Sequence, residues 1–397
     1  MAEAPGRPQW RRTLGRIVAV AGATLLANCA GIVPRETEPA PPPPVARPTT
    51  PRPVTPGIPE DVERHRVALL VPLSGPNAGV GRSLANATQL ALLDTRNERI
   101  RITTYDTAAG AAAAATRAIG EGNRLILGPL LAEDVRAVTP IARRANVAVL
   151  SFSNDVSVAG DGAFVMGYAP AQSIERVVDH ARKSGVTAFA GLVPAGVYGD
   201  RASTALLRSV ESAGGQVVGI QTYDRSGGSL AAAVTRLSRS SPYQAVLIAD
   251  SAAAAAGAAP VIRRSGARGA RMLGTELWNT DSGVGGTAAL NGAWFASVSN
   301  ALYRQYATKY RARFGAAPYR LSSLGYDAVL LTVRIARDWR IGDDFPAGRL
   351  TDRDGFAGLD GAFRFGRDGI AERALEVQEI RGGTTVTVSP APQGFGR

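Results

Sequence analysis

The sequence predicts an α/β protein with two doubly wound parallel-sheet lobes. From residue 66 onward, short and continuously apolar runs alternate with helix-length segments. This is the pattern of βαβ units on buried parallel strands. The series also breaks near residues 164–170 into two sets of four strands that are ordered alike. A body of roughly 320 residues is long enough for two lobes that each bury a core.

The predicted elements follow the chain in a regular order. The strands are residues 67–71, 100–105, 125–127, 147–152, 188–193, 217–223, 245–248 and 272–274. The helices are residues 84–94, 108–119, 135–145, 171–183, 201–213, 230–238 and 252–264, with later ones at 302–314 and 322–339. Residues 361–366 are predicted to form a hairpin edge strand. This order implies several interlobe crossovers in a body at 66–388, with a first lobe at 66–168 plus 300–340 and a second lobe at 169–299 plus 345–388.

The chain begins with a segment typical of bacterial export signals. Four arginines precede the apolar residues 17–27, which are too few to span a bilayer. The only cysteine, Cys29, ends a LANC tetrapeptide that resembles a lipobox, from which Asn28 departs. The resemblance implies that residues 1–28 are a lipoprotein signal peptide and that an acylated Cys29 anchors the protein to a membrane. Ala30 favours the periplasmic face of the outer membrane; the alternative is a free or buried thiol in an uncleaved start.

Residues 29–65 are rich in proline and almost devoid of large apolar side chains. Such a composition favours extended polyproline II, which rises about 3.1 Å per residue. Roughly thirty residues could therefore hold a domain up to about 90 Å from the membrane. The segment is predicted to be a stalk; a ligand for an SH3-like module is the alternative.

The formal net charge is +12, and arginine carries almost all of it, since Lys183 and Lys309 are the only lysines. No basic run with interleaved aromatic residues marks a nucleic-acid groove, so no nucleic-acid partner is expected. The two histidines, His65 and His180, are expected to face solvent. The sequence has no Ser/His/Asp arrangement, CxxC pair or HExxH motif. No catalytic residue, metal site or cofactor is therefore predicted, and the protein is not expected to be an enzyme.

Several short motifs resemble, in order and spacing, those of the leucine-binding family, which has the type I periplasmic-binding-protein fold. They are VALLVPLSG at 67–75, GPL at 128–130, VLSFS at 149–153, YGD at 198–200 and GYDA at 325–328. The resemblance covers residues 66–385. It implies a ligand cleft at the carboxyl ends of the parallel strands, where helix N-termini offer free N–H groups.

In this chain, that cleft selects residues at predicted strand ends. They are Ser74, Gly75, Gly128, Leu130, Ser151, Ser153, Tyr198, Asp250, Ser251 and Glu276. By resemblance, Ser151 and Ser153 would hold a ligand carboxylate, and Asp250 or Glu276 would hold an ammonium group. The alternative is local: serine after a strand is a common N-cap, and aspartate at a strand end is a common turn residue.

Two functions are compatible with this fold. The lipid anchor, the stalk and the Gly128-Pro129-Leu130 loop resemble the penicillin-binding-protein activators, which regulate a peptidoglycan synthase by protein contact. We expect the chain to act in this way, with a penicillin-binding protein as its partner. The alternative is a solute-binding lipoprotein that delivers an amino acid or related small molecule to an ABC transporter permease.

Overall fold

The computed structural model describes residues 64–225, 228–239, 242–265 and 268–395. Cys29, the predicted signal peptide and nearly all of the predicted stalk lie outside these residues. In the part of the chain that is described, no helix combines the length and the apolar character needed to cross a membrane.

Strands and helices alternate along the chain, as the sequence predicts. The strands are β1 His65–Val71, β2 Ile100–Asp106, β3 Leu125–Leu127, β4 Ala148–Ser151, β5 Ala163–Val165, β6 Ala188–Pro194, β7 Gln216–Tyr223, β8 Ala245–Ile248, β9 Arg271–Gly274, β10 Trp294–Ser297, β11 Phe356–Gly358, β12 Gly361–Phe365, β13 Ala371–Arg373, β14 Glu376–Arg381 and β15 Thr384–Ser389. The helices are α1 Ala78–Thr95, α2 Ala111–Gly120, α3 Ala132–Arg144, α4 Pro170–Lys183, α5 Val197–Ser212, α6 Ser229–Leu237, α7 Ala252–Arg264, α8 Ala301–Phe314 and α9 Ser322–Ile335.

The first lobe is a three-layer sandwich around a parallel sheet of order β2-β1-β3-β4-β5. One face of the sheet, with Leu69 and Leu127, packs against α1, α8 and α9. The other face, with Leu70 and Ile126, packs against α2 and α3. Because helices cover both faces, the positions of the central strands β1, β3 and β4 need apolar side chains, which explains the continuously apolar runs in the sequence.

The second lobe repeats this design on a seven-stranded sheet of order β15-β14-β10-β9-β8-β6-β7. Strands β6 to β10 are parallel, whereas β14 and β15 are added antiparallel at one edge. One face packs Leu192 and Val246 against α6 and α7, and the other packs Phe189 and Leu247 against α4 and α5. The order β7-β6-β8-β9-β10 matches that of the first sheet, so the prediction of two doubly wound lobes is confirmed.

Each lobe contains the same kind of close contact, between the end of its first strand and the first turn of the helix that follows. A Cβ on Gly81 of α1 would lie 1.7 Å from the carbonyl oxygen of Pro72, after β1. A Cβ on Gly199 of α5 would lie 1.7 Å from the carbonyl oxygen of Pro194, which ends β6. Only glycine lets the first turn of a helix lie this near to a strand end.

Three segments carry the chain between the lobes, as the predicted crossovers require. Residues 166–169 join β5 to α4, residues 298–300 join β10 to α8, and residues 374–375 join β13 to β14. Arg373, which directly precedes the third crossover, bonds to the first crossover and to the helix that follows it. Arg373 donates from Nη2 to the carbonyl oxygen of Met166 at 2.6 Å, and its backbone N–H donates to Gln172 Oε1 at 3.1 Å. These bonds hold the first and third crossovers together.

The structure places residues 356–373 with the first lobe, not with the second as expected. Here β11, β12 and β13 form a small antiparallel sheet. Its side chains Phe356, Phe363 and Phe365 join the core beneath α9. Residues 361–366, expected to be an edge strand, instead contain the central strand β12. Alternating phenylalanines need an apolar surface to cover them, and α9 supplies it.

Neither histidine faces solvent as expected. His65 is 3% exposed and stacks on Trp339 with 4.0 Å between ring centroids. His180 is half-buried, with its ring 4.6 Å from that of Trp294 in an edge-on arrangement. The apolar run suggested a strand that starts at residue 67, whereas pairing with β2 extends β1 to His65 and buries that ring.

We expect Gly199→Ala to lower the free energy of unfolding by about 1–3 kcal/mol, because the added methyl group overlaps a backbone oxygen that cannot move freely. The matched control is Gly257→Ala in α7, where a Cβ meets no atom within 4 Å. That change should raise stability by about 0.5–1 kcal/mol, as alanine favours helix. Urea unfolding of both variants would measure the difference. Equal effects of the two changes would contradict the proposed close contact.

Candidate functional site

The predicted cleft residues follow the carboxyl ends of central strands. Gly128 and Leu130 follow β3, Ser151 ends β4, and Asp250 follows β8. In both sheets the strand order reverses beside the first strand, between β1 and β3 and between β6 and β8. Loops that leave such a reversal point in opposite directions open a crevice, which is where ligands bind in open α/β sheets.

Ser151 and Ser153 make their hydrogen bonds within the first lobe, to the neighbouring loop after β3 and to their own loop after β4. Ser151 Oγ donates to the carbonyl oxygen of Pro129 at 3.1 Å and accepts from the N–H of Ser153 at 3.0 Å. Ser153 Oγ accepts from the N–H of Asp155 at 3.1 Å. Both side chains are buried. The two bonds from backbone N–H groups are those of serine hydroxyls that stabilise a turn, which was the alternative to ligand binding.

The remaining first-lobe candidates also shape loops. Ser74 Oγ donates to Asp106 Oδ2 at 2.9 Å, so this exposed hydroxyl holds the loop after β1 to the end of β2. Gly75 and Gly128 have φ angles of 71° and 91°, a region that favours glycine. Leu130 packs against the first-lobe core. These residues define the rim of the crevice by backbone shape.

In the second lobe, the structure brings Tyr198 and Glu276 together. The Tyr198 hydroxyl donates to Glu276 Oε1 at 3.0 Å, and Ser173 Oγ donates to Glu276 Oε2 at 2.5 Å. Glu276 is 8% exposed. Burial raises the pKa of Glu276, and the two hydroxyl donors offset only part of that effect. The protonated form is therefore more favoured here than in an exposed glutamate.

Asp250 and Ser251 lie in a separate group. Asp250 accepts from the Tyr223 hydroxyl at 2.8 Å and from Arg225 Nε at 3.0 Å. Burial opposes ionisation of Asp250, but these donors outweigh it and lower its pKa. Ser251 Oγ accepts from the N–H of Ala254 at 3.2 Å and so caps α7. Asp250 is therefore an ionised carboxylate that is already paired, and Ser251 is an N-cap.

An ion pair joins the two lobes. Asp155, in the loop after β4, accepts from Arg201 of α5 at 2.6 Å and from Arg136 of α3 at 2.9 Å. Burial opposes ionisation of Asp155, but hydrogen bonds from Ser157 and Arg201 outweigh it and lower its pKa to about 2. Because this lies below the ordinary value of 3.8, the stabilisation is present at neutral pH and is lost as the pH falls below about 4.

A small cavity lies where the three crossovers meet, and we call it the hinge cavity. Tyr168, Val298 and Leu375, one from each crossover, line it. Its volume is about 20 Å³, and a water molecule needs roughly 10–15 Å³. Polar side chains from both lobes meet there, namely Ser173, Glu276 and Asn279 from the second lobe and Arg320 and Arg373 from the first.

Buried charges surround the first-lobe side of the hinge cavity. Arg320 Nη1 lies 2.8 Å from Asp360 Oδ1, and the two side chains are 5% and 0% exposed. The Tyr168 hydroxyl donates to Asp360 Oδ2 at 2.5 Å. Arg373 stacks over the Tyr168 ring, with 5.0 Å from its guanidinium carbon to the ring centroid. This group ties α9, the small sheet and the first crossover together.

Two buried aspartates near these arginines have opposite pKa shifts. Burial raises the pKa of Asp327, and the negative charge of Asp360 raises it further. Burial would also raise the pKa of Asp360, but Arg320 and Arg373 outweigh it and hold that pKa below its ordinary value. Asp360 is therefore the ionised member of the pair, and Asp327 takes up a proton more readily.

Sequence reasoning missed Arg201, Arg320 and Arg373. Arginine is so frequent in this chain that a single arginine carries little signal. One signal was available for Arg320, since it lies two residues before the first residue of α9, a helix whose residues are nearly all buried. A charged residue at the start of so buried a helix must find a partner inside the protein.

We expect Arg201→Gln to loosen lobe closure, because the change keeps a polar side chain but removes the charge that faces Asp155. The expected loss of stability is about 0.5–1.5 kcal/mol, since Arg201 is partly exposed. Small-angle X-ray scattering should show a larger radius of gyration. Arg208→Gln, on the exposed side of the same helix, should leave the scattering curve unchanged. Identical curves for both variants would rule out this ion pair as a closure contact.

One curated protein matches part of this chain in sequence. An uncharacterized protein of Rickettsia prowazekii (strain Madrid E) is 29% identical over 138 residues, an alignment that spans 33% of this chain and only 36% of that protein.

Two solved structures share the fold at low identity. A leucine-binding protein from Thermotoga maritima is 20% identical with a TM-score of 0.62, covering 82% of this chain and 98% of its own. The C-domain of LpoA from Haemophilus influenzae, described as a regulator of PBP1A, is 19% identical with a TM-score of 0.64, covering 81% and 99%. At these identities, the likeness shows the fold alone. A family model for periplasmic binding proteins matches residues 65–384, and the chain therefore belongs to the periplasmic binding protein family.

Proposed function

We propose that this protein is a lipid-anchored, non-enzymatic regulator that acts by direct contact on a peptidoglycan synthase of the penicillin-binding-protein class. The observation that carries the proposal is the size of the hinge cavity. At about 20 Å³ it is far smaller than the roughly 300–1,000 Å³ of pockets that hold small molecules. A protein that delivers an amino acid needs a site of that amino acid's size, whereas a regulator that acts by contact needs only surface.

The bonding of the cleft residues supports the same function. Ser151 and Ser153 make their hydrogen bonds to two adjacent loops of the first lobe, and Asp250 is paired with Arg225. An amino-acid receptor needs hydroxyls and a carboxylate that are free to bond to the ligand, because the ligand's charged groups lose their bonds to water when they are buried. These side chains are instead satisfied within the protein.

The predicted N-terminus supports an envelope location. An acylated Cys29 would hold the chain on the periplasmic face of the outer membrane, and a proline-rich stalk at 29–65 would let the body reach up to about 90 Å toward the cell wall. A tethered protein cannot shuttle to a transporter in the inner membrane. The fold shared with the Haemophilus PBP1A regulator is consistent with this reading.

The second candidate function is a solute-binding lipoprotein that serves an ABC transporter. The observation in its favour is the pair formed by Tyr198 and Glu276, which places a buried carboxylate in the second lobe. Such a carboxylate could meet a ligand ammonium group in a more open form. The fold shared with the leucine-binding protein of Thermotoga is consistent with it.

Crosslinking in intact cells followed by purification of the full-length chain should recover a peptidoglycan synthase. Recovery should fall at least tenfold for Cys29→Ala, because the untethered chain loses the high local concentration that anchoring provides. Mass spectrometry of the captured proteins is the measurement. Capture of transporter permease subunits without any synthase would overturn the proposal.

Titration calorimetry with leucine and other free amino acids should give no binding tighter than about 1 mM. The physical reason is that the described cleft offers no free acid and hydroxyl set. A dissociation constant in the micromolar range, abolished by Glu276→Gln, would favour the solute-binding function instead.

A further inference from the structure

The strand β15 forms an open edge of the second-lobe sheet. It is the last strand in the sheet order and pairs antiparallel with β14 alone. Within the described residues, no hydrogen bond from outside β14 reaches the backbone of residues 385–387. The short 3₁₀ helix Val284–Gly286 packs on both β14 and β15, so it covers a face of this hairpin and leaves the outer edge open. Such an edge presents N–H and C=O groups that can pair with a further strand.

The turn before β15 decides which of its residues point outward. The two glycines at residues 382–383 have φ angles of 59° and 83°, the positive values of a two-residue type I′ turn. The flanking residues Arg381 and Thr384 are paired and therefore exchange hydrogen bonds, and every second residue beyond them points the other way. Thr385 and Thr387 thus direct their N–H and C=O groups away from β14.

Two other sheet edges are protected, whereas β15 is not. Strand β2 carries the charged residues Arg101 and Asp106, and at the end of β7 the carbonyl oxygen of Thr222 accepts from Arg236 Nη2 at 3.2 Å. Charged side chains and covering groups are the usual protection of an edge. Strand β15 has the sequence TTVTVS, without charge or proline. Its register shift lies beyond Thr387, so the strand is regular up to that residue.

The sequence of this edge matches a second copy of itself. Thr385-Val386-Thr387 reads the same in both directions, so antiparallel pairing about Val386 sets Thr385 of each copy opposite Thr387 of the other. Pairs of threonines and of β-branched residues across strands are favourable. A two-fold axis also sets any charge at its centre against the same charge, which destabilises pairing. Because β15 carries no charge, it can pair with itself without such a contact.

The side chain at the centre of this pairing is apolar and accessible. Val386 is 37% exposed, although valine is usually buried. In the antiparallel arrangement, Val386 forms a non-hydrogen-bonded pair, the kind in which opposite side chains lie closer together. Two copies of Val386 would therefore cover each other on one face of the joined sheet.

From these features, we infer that two copies of this chain associate through β15, related by a two-fold axis at Val386, so that their second-lobe sheets form one continuous sheet. Thr385 of each copy exchanges backbone hydrogen bonds with Thr387 of the other. So short an interface belongs to the weak class, which buries less than about 1,200 Å². The inference goes beyond the proposed function, since a regulator that contacts a synthase could act as a monomer or as a dimer.

Sedimentation equilibrium of the full-length chain tests the inference. The chain carries Cys29→Ala, so that neither acylation nor a disulfide can join two copies. The average mass should rise from 41.2 kDa toward twice that value as the protein concentration increases from micromolar to millimolar. Thr387→Pro removes an outward N–H without touching the bonds to β14 and should weaken the dimer at least about tenfold. Thr387→Ser keeps the N–H and the hydroxyl, so its dimer should stay within about threefold of the parent.

Charge substitutions at the two-fold axis distinguish self-association from other effects. Val386→Lys and Val386→Glu should each weaken the dimer at least about tenfold, because like charges then lie directly opposite. An equimolar mixture of the two variants should restore a dimer, because opposite charges then face each other. This rescue also shows that both variants are folded.

Three outcomes would overturn the inference. The first is a monomer at every concentration, which is also the result expected if the edge takes a strand from a different protein. The second is equal association of the Thr387→Pro and Thr387→Ser chains. The third is a mixture of the Val386 variants that associates no more than its components. None of these outcomes bears on capture of a synthase, so this inference and the proposed function fail separately.

Discussion

The buried ion pair between Arg320 and Asp360 is the contact on which the arrangement of the hinge depends. Arg320 lies two residues before the start of α9, and Asp360 lies in the turn between β11 and β12. Tyr168 bonds to the same carboxylate from the first crossover. Removing one partner of such a pair leaves an uncompensated buried charge, at a cost of about 3–5 kcal/mol. The pair therefore holds the small sheet to the first lobe and sets the walls of the hinge cavity.

Much of the fold could be predicted from residue patterns. Continuously apolar runs predicted β1, β3, β4 and β8 because parallel strands covered by helices on both faces leave no position for a polar residue. The same rule did not find β5 or β10, although β3 and β8 are equally short. It also misplaced the small antiparallel sheet, because the alternating Phe363 and Phe365 require an apolar cover without specifying which lobe supplies it.

The candidate site was less predictable than the fold. Tyr198 and Glu276 were each selected as strand-end residues, and they meet although 78 positions separate them. The arginines of the hinge and of the interlobe ion pair carried no recognisable motif. Asp155 forms an interlobe ion pair only because the fold brings Arg201 of the other lobe next to it. Burial and nearby partners change the pKa and the hydrogen bonds of a charged side chain. Neither can be read from local sequence.

The sequence by itself determined two things about this protein: the two doubly wound lobes, through hydrophobic periodicity, and the family, through the order of its strand-end motifs. Only the tertiary structure decided how the lobes close and which charges meet at the hinge. The reason is physical. Periodicity is a local property that recurs every few residues, whereas lobe closure and buried ion pairing join side chains that are far apart along the chain. Their energies depend on distance and burial, which the folded chain alone defines.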